Sequence, residues 1–277
     1  MLDFAINVAE QAGEMLLGYQ RSGLSADQIR IKSSQADLAT EADIASERLI
    51  LGAIRAKFPG HACFSEESSS GEPPDADWLW LVDPLDGTTN FAHRLPIFAV
   101  NLALARRGEV VLAVTHDPSA RRTYWAEAGN RAWVRAGSQD QLLHVSTVGV
   151  LQHSLLATGF PYNRATNPDD NVAEFVALDR RCQAVRRLGS SALAAAWVAA
   201  GILDAYWEAG IKPWDTAAGS LLVREAGGAI SDYTGQPWRL ASRNILVSNG
   251  QPGVHGAILE TIAEVRSLLE QAWKKGP

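Results

Sequence analysis

Hydrophobic residues near the N-terminus recur every three or four positions, which is the spacing of one helix face. A helix is therefore predicted over residues 2–20, with apolar positions at Phe4, Ala5, Val8, Ala9, Ala12, Met15, Leu16 and Tyr19. Thr40 has the side chain of a helix N-cap, and a second helical pattern follows it over residues 41–58. Further helices are predicted over residues 168–182, 190–200, 215–226 and 256–274.

Shorter apolar runs predict strands. Residues 78–82 are apolar throughout, which is typical of a strand that is buried on both faces. The Asp83-Pro84 pair follows, and because proline cannot continue a central ladder we expect the chain to turn there. Other strands are predicted over residues 29–32, 98–105, 110–114, 123–126, 131–134, 155–158 and 204–207.

Helices and strands alternate along the whole chain, which predicts a layered α/β or α+β fold. A polar stretch between Ser138 and His153 suggests a loose boundary. We expect an N-terminal α+β half over residues 1–145, which holds most of the candidate metal ligands described below. The C-terminal α/β half, residues 146–277, holds Asp215 and the substrate side, and the two halves are expected to form one compact unit.

The composition is that of a globular protein, with 277 residues, 47% apolar residues and a net charge of -6. No apolar run approaches the roughly 20 residues that cross a bilayer. The N-terminus has no secretory pattern and the two cysteines form no CxxC motif. We therefore expect a cytoplasmic protein without a membrane partner. The acidic charge argues against nucleic acid, because binding a phosphate backbone needs concentrated Lys and Arg.

Two carboxylates, Asp83 and Asp86, follow the buried strand directly, and Gly87 comes next. Ligand sites in α/β sheets lie at such strand ends, and a glycine lets a ligand approach the backbone closely. Magnesium takes oxygen ligands, and one Asp pair is too few for two ions. More acids should therefore converge here, and the candidates are Asp43, Glu66, Glu67 and Asp215.

Each of these acids also has an ordinary structural explanation. Asp-Pro and Asp-Gly are common turn signals. Asp215 stands at a predicted helix start, where it could act as an N-cap. Glu66 and Glu67 would suit a solvated loop, and Asp43 would suit the first turn of a helix, where the macrodipole favours an acid. Local sequence leaves both explanations open for each residue.

Four segments favour a functional site over these structural explanations, because of the residues that they contain and the order in which they occur. They are Lys32-Ser33-Ser34 with Asp37-Leu38-Ala39-Thr40-Glu41-Ala42-Asp43, then Ser65-Glu66-Glu67-Ser68, then Asp83-Pro84-Leu85-Asp86-Gly87-Thr88-Thr89-Asn90-Phe91, and last Trp214-Asp215-Thr216-Ala217-Ala218-Gly219. With these segments the chain resembles the inositol monophosphatase family over nearly its whole length, and the last two together are highly specific. The resemblance implies an α/β/α/β/α sandwich and a magnesium-dependent phosphatase that releases phosphate by direct attack of water.

The resemblance also implies a metal site with two or three Mg²⁺ ions. The first ion is expected on Glu66, Asp83 and the Leu85 carbonyl, the second on Asp83, Asp86 and Asp215, and a weaker third on Glu66 and water. The catalytic residues that it implies are Asp43, Thr88 and Glu66. Asp43 and Thr88 are expected to orient or deprotonate the attacking water.

On the substrate side, the resemblance implies contacts with Asp86, Gly87, Thr88, Ser191 and Glu208. The amides of Gly87 and Thr88 would contact the phosphate, and the two carboxylates would bind hydroxyl groups. Ser191 is a departure, because animal members of the family that hydrolyse inositol phosphate often have Ala there.

The expected substrate is a small phosphorylated metabolite, inositol 1-phosphate first. Fructose 1,6-bisphosphate, histidinol phosphate, NADP and adenosine 3',5'-bisphosphate stay open, and so does a non-catalytic regulatory role. Arg186 and Arg187 fit either a substrate-side loop or a dimer interface. A homodimer and lithium inhibition are expectations from the family.

Overall fold

The computed structural model describes residues 1–23, 25, 28–32, 34 and 37–274, without the side chains of 272–274. Ser33 of the first family segment lies outside the described residues. The helices are α1 (Leu2–Ser22), α2 (Glu41–Lys57), α3 (Thr88–Ala92), α4 (Val172–Asp179), α5 (Ser191–Ala199), α6 (Pro213–Glu225) and α7 (Pro252–Lys274). In the described part of the chain, none of them combines the length and apolar character that crossing a membrane requires.

The strands form two large sheets and one small pair. In chain order they are β1 (Ile29–Ile31), β2 (Leu38–Thr40), β3 (Ala62–Ser65), β4 (Trp78–Asp86), β5 (Ala99–Arg106), β6 (Glu109–Asp117), β7 (Arg122–Glu127), β8 (Ala132–Ala136), β9 (Gln139–Leu142), β10 (Leu155–Thr158), β11 (Ala184–Arg186), β12 (Ala205–Ala209), β13 (Ala229–Ser231) and β14 (Asn244–Ser248). β1 and β2 form the antiparallel pair.

The N-terminal sheet has the strand order β3-β4-β5-β6-β7-β8-β9, in which only β3 and β4 are parallel neighbours. α1 and α2 cover one face of it. Their apolar side chains, such as Leu16 and Ile50, share a buried core with Trp80 and Leu102 of the sheet. Because burial stabilises by about 25 cal/mol per Å² of apolar surface, the apolar stripe of α1 fixes which face of the helix meets the sheet.

α5 and α6 lie between the two large sheets, and their small side chains let them pack closely. A Cβ built on Gly219 of α6 would overlap Ala195 of α5. The core around these helices includes Leu81 of the N-terminal sheet and Tyr206 and Val247 of the C-terminal sheet. This middle layer carries the beginnings of α5 and α6 to the end of β4, where the acidic residues stand.

The C-terminal sheet has the order β11-β10-β12-β14-β13, with β10 parallel to both of its neighbours. α4 and α7 cover its outer face, where Leu178 and Ile258 share a core with Trp207 and Leu246. The layers are therefore α1 and α2, sheet, α5 and α6, sheet, α4 and α7. This arrangement confirms the predicted α/β/α/β/α sandwich. The division at residue 145 stays a prediction.

The expected turn at Asp83-Pro84 is wrong, because β4 continues to Asp86. Its pairing with β5 shifts register between Asp83 and Asp86, so Pro84 lies within a bulge and its missing N–H breaks no regular ladder. The bulge keeps both acids on one strand and changes the direction in which the strand end presents them.

Other differences concern short elements and helix ends. The predicted helix at 168–182 is shorter, as α4 begins at Val172, and α6 begins two residues before Asp215. The prediction missed six strands of three to five residues, β2, β3, β9, β11, β13 and β14. Four of them, β3, β9, β11 and β13, are edges of the two large sheets, and β2 is half of the two-stranded pair. A short edge strand pairs on one side only, which leaves little periodic pattern to detect.

Candidate functional site

The end of β4 presents Asp83 and Asp86, both buried. The Leu85 N–H donates to Asp83 Oδ1 at 3.1 Å. Gly87 then turns the chain into α3 with φ of 88°, in the left-handed region. A Cβ on Gly87 would lie 2.9 Å from the Ile97 carbonyl oxygen, so both the space and the backbone conformation require glycine here.

α2 delivers Asp43 to the same place. Asp43 Oδ2 accepts hydrogen bonds from the Thr40 N–H at 2.8 Å and from the Thr40 hydroxyl at 2.6 Å, which caps the helix. Its other oxygen, Oδ1, lies 3.0 Å from Thr88 Oγ1, and that hydroxyl also lies 3.0 Å from the Leu85 carbonyl. Burial raises the pKa of Asp43 to about 7 against the opposing effect of the Thr40 hydrogen bonds. The structure thus brings the two predicted water-activating residues into contact.

Asp86 is held by the start of α5. The Ser190 hydroxyl and the Ala192 N–H donate to Asp86 Oδ2, and the Ser191 N–H (3.1 Å) and hydroxyl (3.0 Å) donate to Oδ1. Burial raises the pKa of Asp86 to about 6, and these donors limit the rise. The predicted substrate residue Ser191 therefore contacts a predicted metal ligand directly.

Glu66 follows β3 and is paired with Lys32. The Lys32 Nζ lies 2.9 Å from Glu66 Oε1 and also contacts Glu67. The two carboxylate side chains are only 16% and 10% exposed. Burial disfavours the charged ammonium, but these carboxylates outweigh it and raise the pKa of Lys32. Glu66 and Glu67 are therefore half-buried partners of one ammonium group, and not the solvated loop acids of the ordinary explanation.

Asp215 lies in the first turn of α6. Its Oδ2 accepts the Lys212 N–H at 2.9 Å, so it does help to cap the helix. The Asn101 side chain donates to the Trp214 carbonyl at 2.8 Å and ties this turn to β5. Burial, followed by the charge of Glu66, raises the pKa of Asp215 well above its usual range. A capping role and a place among the acids are therefore compatible.

The acids act on one another at short range. Burial raises the pKa of Asp83 well above its usual range, and the charges of Glu66, Asp86 and Asp215 raise it further. No group of three or more His, Cys, Asp or Glu side chains among the described residues is arranged so that it could hold a metal ion as it stands. By donor type and charge, however, the set fits a hard cation such as Mg²⁺, which takes oxygen ligands and relieves repulsion between carboxylates.

Glu208 lies on β12 and is partly buried. The Tyr206 hydroxyl donates to its Oε2. Burial raises the pKa of Glu208 to about 7, the Tyr206 hydrogen bond lowers it, and the charge of Asp86 raises it. The structure thus places this predicted hydroxyl-binding acid within electrostatic reach of Asp86.

Five residues of this region had no role in the sequence prediction. The sequence does indicate a role for Ser190, because a serine before an Ala-rich helix is a typical N-cap. In the structure its hydroxyl accepts a hydrogen bond from the Leu193 N–H. Lys32 stood in a family segment. Tyr206 is two positions from Glu208, hence on the same face of β12. Gly159 and Tyr162 had no local signal. Tyr162 is 52% exposed, and its backbone carbonyl accepts a hydrogen bond from the Ser34 hydroxyl at 2.9 Å.

Comparison with known proteins gives a consistent result. Residues 1–267 match the model of the family described as "Inositol monophosphatase family". A Pseudomonas aeruginosa protein named "Nus factor SuhB" is 40% identical over 254 residues, covering 90% of this chain and 91% of that protein. The "Inositol-1-monophosphatase" of a Synechocystis species is 39% identical over 244 residues, covering 88% and 83%. The solved structure of inositol monophosphatase from an Anabaena (Nostoc) species aligns with a TM-score of 0.82 at 39% identity and covers 95% of each chain.

Proposed function

Because the chain belongs to the inositol monophosphatase family, we propose that it is a magnesium-dependent phosphatase of small phosphate monoesters. The observation that carries the proposal is the group of Asp83 and Asp86, both buried, with the half-buried Glu66 and Asp215, in which the charges act on one another's pKa. Like charges are gathered at such density in proteins where a cation is to be bound. The Asp43–Thr88 pair adds a proton acceptor beside this group.

The ligand sets proposed for magnesium are those that the family resemblance implies. Glu66, Asp83 and the Leu85 carbonyl would hold one ion, and Asp83, Asp86 and Asp215 a second, with a weaker third on Glu66. When bound, the ions would favour ionisation of water and neutralise the charge that spreads over the phosphoryl oxygens. The Lys32 ammonium contacts Glu66 Oε1 at 2.9 Å, so an ion on Glu66 would share this carboxylate with Lys32.

Asp43 and Thr88 would accept the proton that the attacking water loses. Asp43 is fully buried and its Oδ1 accepts the Thr88 hydroxyl, so we place the proton path through this hydroxyl. As the water oxygen attacks phosphorus and the bond to the ester oxygen breaks, Thr88 would take a proton from the water and pass its own to Asp43 Oδ1. Burial raises the pKa of the Asp43 carboxylate, which favours uptake of this proton.

The proposed substrate is a polyol monophosphate, with inositol 1-phosphate first. Glu208 and Asp86 offer carboxylate oxygens that can accept hydrogen bonds from hydroxyl groups, and the Ser191 hydroxyl donates to Asp86 at 3.0 Å. The amides of Gly87 and Thr88, at the turn after β4, are proposed contacts of the phosphate. The Synechocystis relative, named an inositol-1-monophosphatase, supports this choice over the other esters.

The test is phosphate release by the purified protein from inositol 1-phosphate, fructose 1,6-bisphosphate, NADP, histidinol phosphate and adenosine 3',5'-bisphosphate, each with magnesium and with EDTA. We expect magnesium-dependent release, fastest from inositol 1-phosphate. Asp86→Asn should keep the fold, as judged by circular dichroism, and lower turnover by about a hundredfold or more. Asp179→Asn, an exposed acid at the end of α4, is the matched control and should behave as wild type. Full activity of a folded Asp86→Asn would overturn the metal assignment.

A role as a Nus factor is the second candidate, and the name of the Pseudomonas relative is the observation that favours it. Such a role does not require hydrolysis. If the protein releases no phosphate from any ester of the panel with magnesium present, this non-catalytic role becomes the better explanation. The family also predicts a homodimer and inhibition by lithium, which light scattering and a lithium titration of the same assay can test.

A further inference from the structure

Tyr206 is a buried phenol with a specific partner. It lies on β12 two residues before Glu208, so both side chains are on the same face of the strand. Its hydroxyl donates to Glu208 Oε2, and no second hydrogen bond of this hydroxyl is found among the described residues. The burial of Tyr206 fixes the phenol, and the phenol in turn fixes one oxygen of the carboxylate.

Gly159 completes the setting from the neighbouring strand end. A Cβ built on Gly159 would overlap Oε1, Oε2 and Cδ of Glu208, so the carboxylate lies directly against this glycine. The backbone conformation of Gly159 does not require glycine, since its φ is not positive. Its position is fixed, because the Asn171 side chain donates to the Gly159 carbonyl at 2.7 Å. The space that a side chain at position 159 would fill is therefore occupied by the carboxylate of Glu208.

We infer that Tyr206 and Gly159 are positioning residues that hold the carboxylate of Glu208 for a hydroxyl group of the substrate, and that they give the site its selectivity for polyol monophosphates. This inference rests on the proposed phosphatase function. Tyr206 occupies Oε2, whereas Oε1 has no hydrogen-bond donor among the described residues and can accept a substrate hydroxyl. Without the phenol, or with a methyl group at position 159, the carboxylate would turn away from that direction.

The test compares two polyol esters, inositol 1-phosphate and glycerol 2-phosphate, with p-nitrophenyl phosphate, whose leaving group offers no aliphatic hydroxyl. Tyr206→Phe and Gly159→Ala should each lower the ratio of kcat/KM for the polyol esters to that for p-nitrophenyl phosphate by about tenfold, since a hydrogen bond to a charged group is involved. The loss should be in KM. The matched controls are Tyr233→Phe and Gly52→Ala, and both should leave the ratio unchanged. The buried Tyr233 hydroxyl has no hydrogen-bond partner in the part of the chain that the structure describes, and the surroundings of Gly52 are open.

A double-mutant cycle separates positioning from a general structural effect. In a Glu208→Gln background, Tyr206→Phe should change the ratio by less than about twofold, because the two substitutions affect the same contact. Equal losses on all three esters, or no loss in either variant, would overturn the inference while leaving the phosphatase function intact. A wild-type protein that does not favour polyol esters over p-nitrophenyl phosphate would overturn it as well. A wild-type protein that hydrolyses none of the esters would remove both the inference and the proposed function.

Discussion

His116 on β6 joins the N-terminal sheet to α1, and its titration should make the fold sensitive to acid. The imidazole is buried, and its Nδ1 lies 2.9 Å from Thr123 Oγ1. The Thr123 hydroxyl donates to Glu10 Oε1 of α1 at 3.0 Å, and Gly13 of the same helix leaves room for the ring. Burial lowers the pKa of His116 from 6.5 to about 4, although a backbone hydrogen bond with Arg122 opposes the shift.

The sign and the size of the effect follow from this shift. Below pH 6.5 the unfolded chain takes up a proton at His116, whereas the folded chain does not until about pH 4. The contribution of the neutral His116 to stability is therefore fully present above pH 6.5 and is lost as the pH drops through this window. Each pH unit removes about 1.4 kcal/mol, so His116 alone should lower the free energy of unfolding by about 3 kcal/mol. That is a large fraction of the roughly 5–15 kcal/mol that stabilises a typical domain.

Urea unfolding in EDTA, repeated between about pH 7 and pH 4, measures this effect. In His116→Gln, the loss of stability over this range should be smaller than in wild type by about 3 kcal/mol. His153→Gln, which removes an exposed imidazole, is the control and should follow the wild-type curve. If His116→Gln loses as much stability as wild type, the buried imidazole is not the acid-sensitive group and the reasoning is refuted.

Three further predictions concern packing, hydrogen bonding and the proton path. Gly13→Ala should destabilise by about 1–3 kcal/mol in urea unfolding, because its methyl group would overlap a packed imidazole; Gly18→Ala on the open face of the same helix should stabilise by about 0.5–1 kcal/mol. Asn101→Ala should cost about 1–3 kcal/mol by the same measurement, since its buried amide bonds a carbonyl at the start of α6. Thr88→Val should lower turnover by about a hundredfold while the magnesium dependence of thermal unfolding stays unchanged, because its hydroxyl contacts Asp43.

The sequence predicts the long elements well because burial imposes their periodicity. The stripe of α1 extends over the predicted positions, and Thr40 caps α2 together with Asp43 as its side chain suggests. The end of β4 shows the limit of this reasoning. Pro84 is a reliable sign that a regular ladder cannot continue, but a bulge is a second way to meet that condition, and only the pairing with β5 shows which one occurs.

For the site too, the sequence indicates residues in local motifs but not the contacts between residues that are distant in the chain. The resemblance names acids whose grouping the structure supports, and it names Ser191, which contacts Asp86. It gives no role to Lys32, which pairs with Glu66 across 34 positions, or to Gly159, which packs against Glu208. Such contacts depend on how separate strands are brought together, and no local pattern encodes them.

The most direct test of the central claim is a magnesium titration of metal-free protein that follows phosphate release from inositol 1-phosphate and thermal unfolding in parallel. The proposed function predicts no release in EDTA, and a rise of both activity and stability over the same range of magnesium concentration. Asp86→Asn should show no rise of activity over that range and a smaller rise of stability, because Asp86 is a proposed ligand of the second ion only. Phosphate release that continues unchanged after all divalent ions are removed would contradict the claim that the buried acids act by holding magnesium.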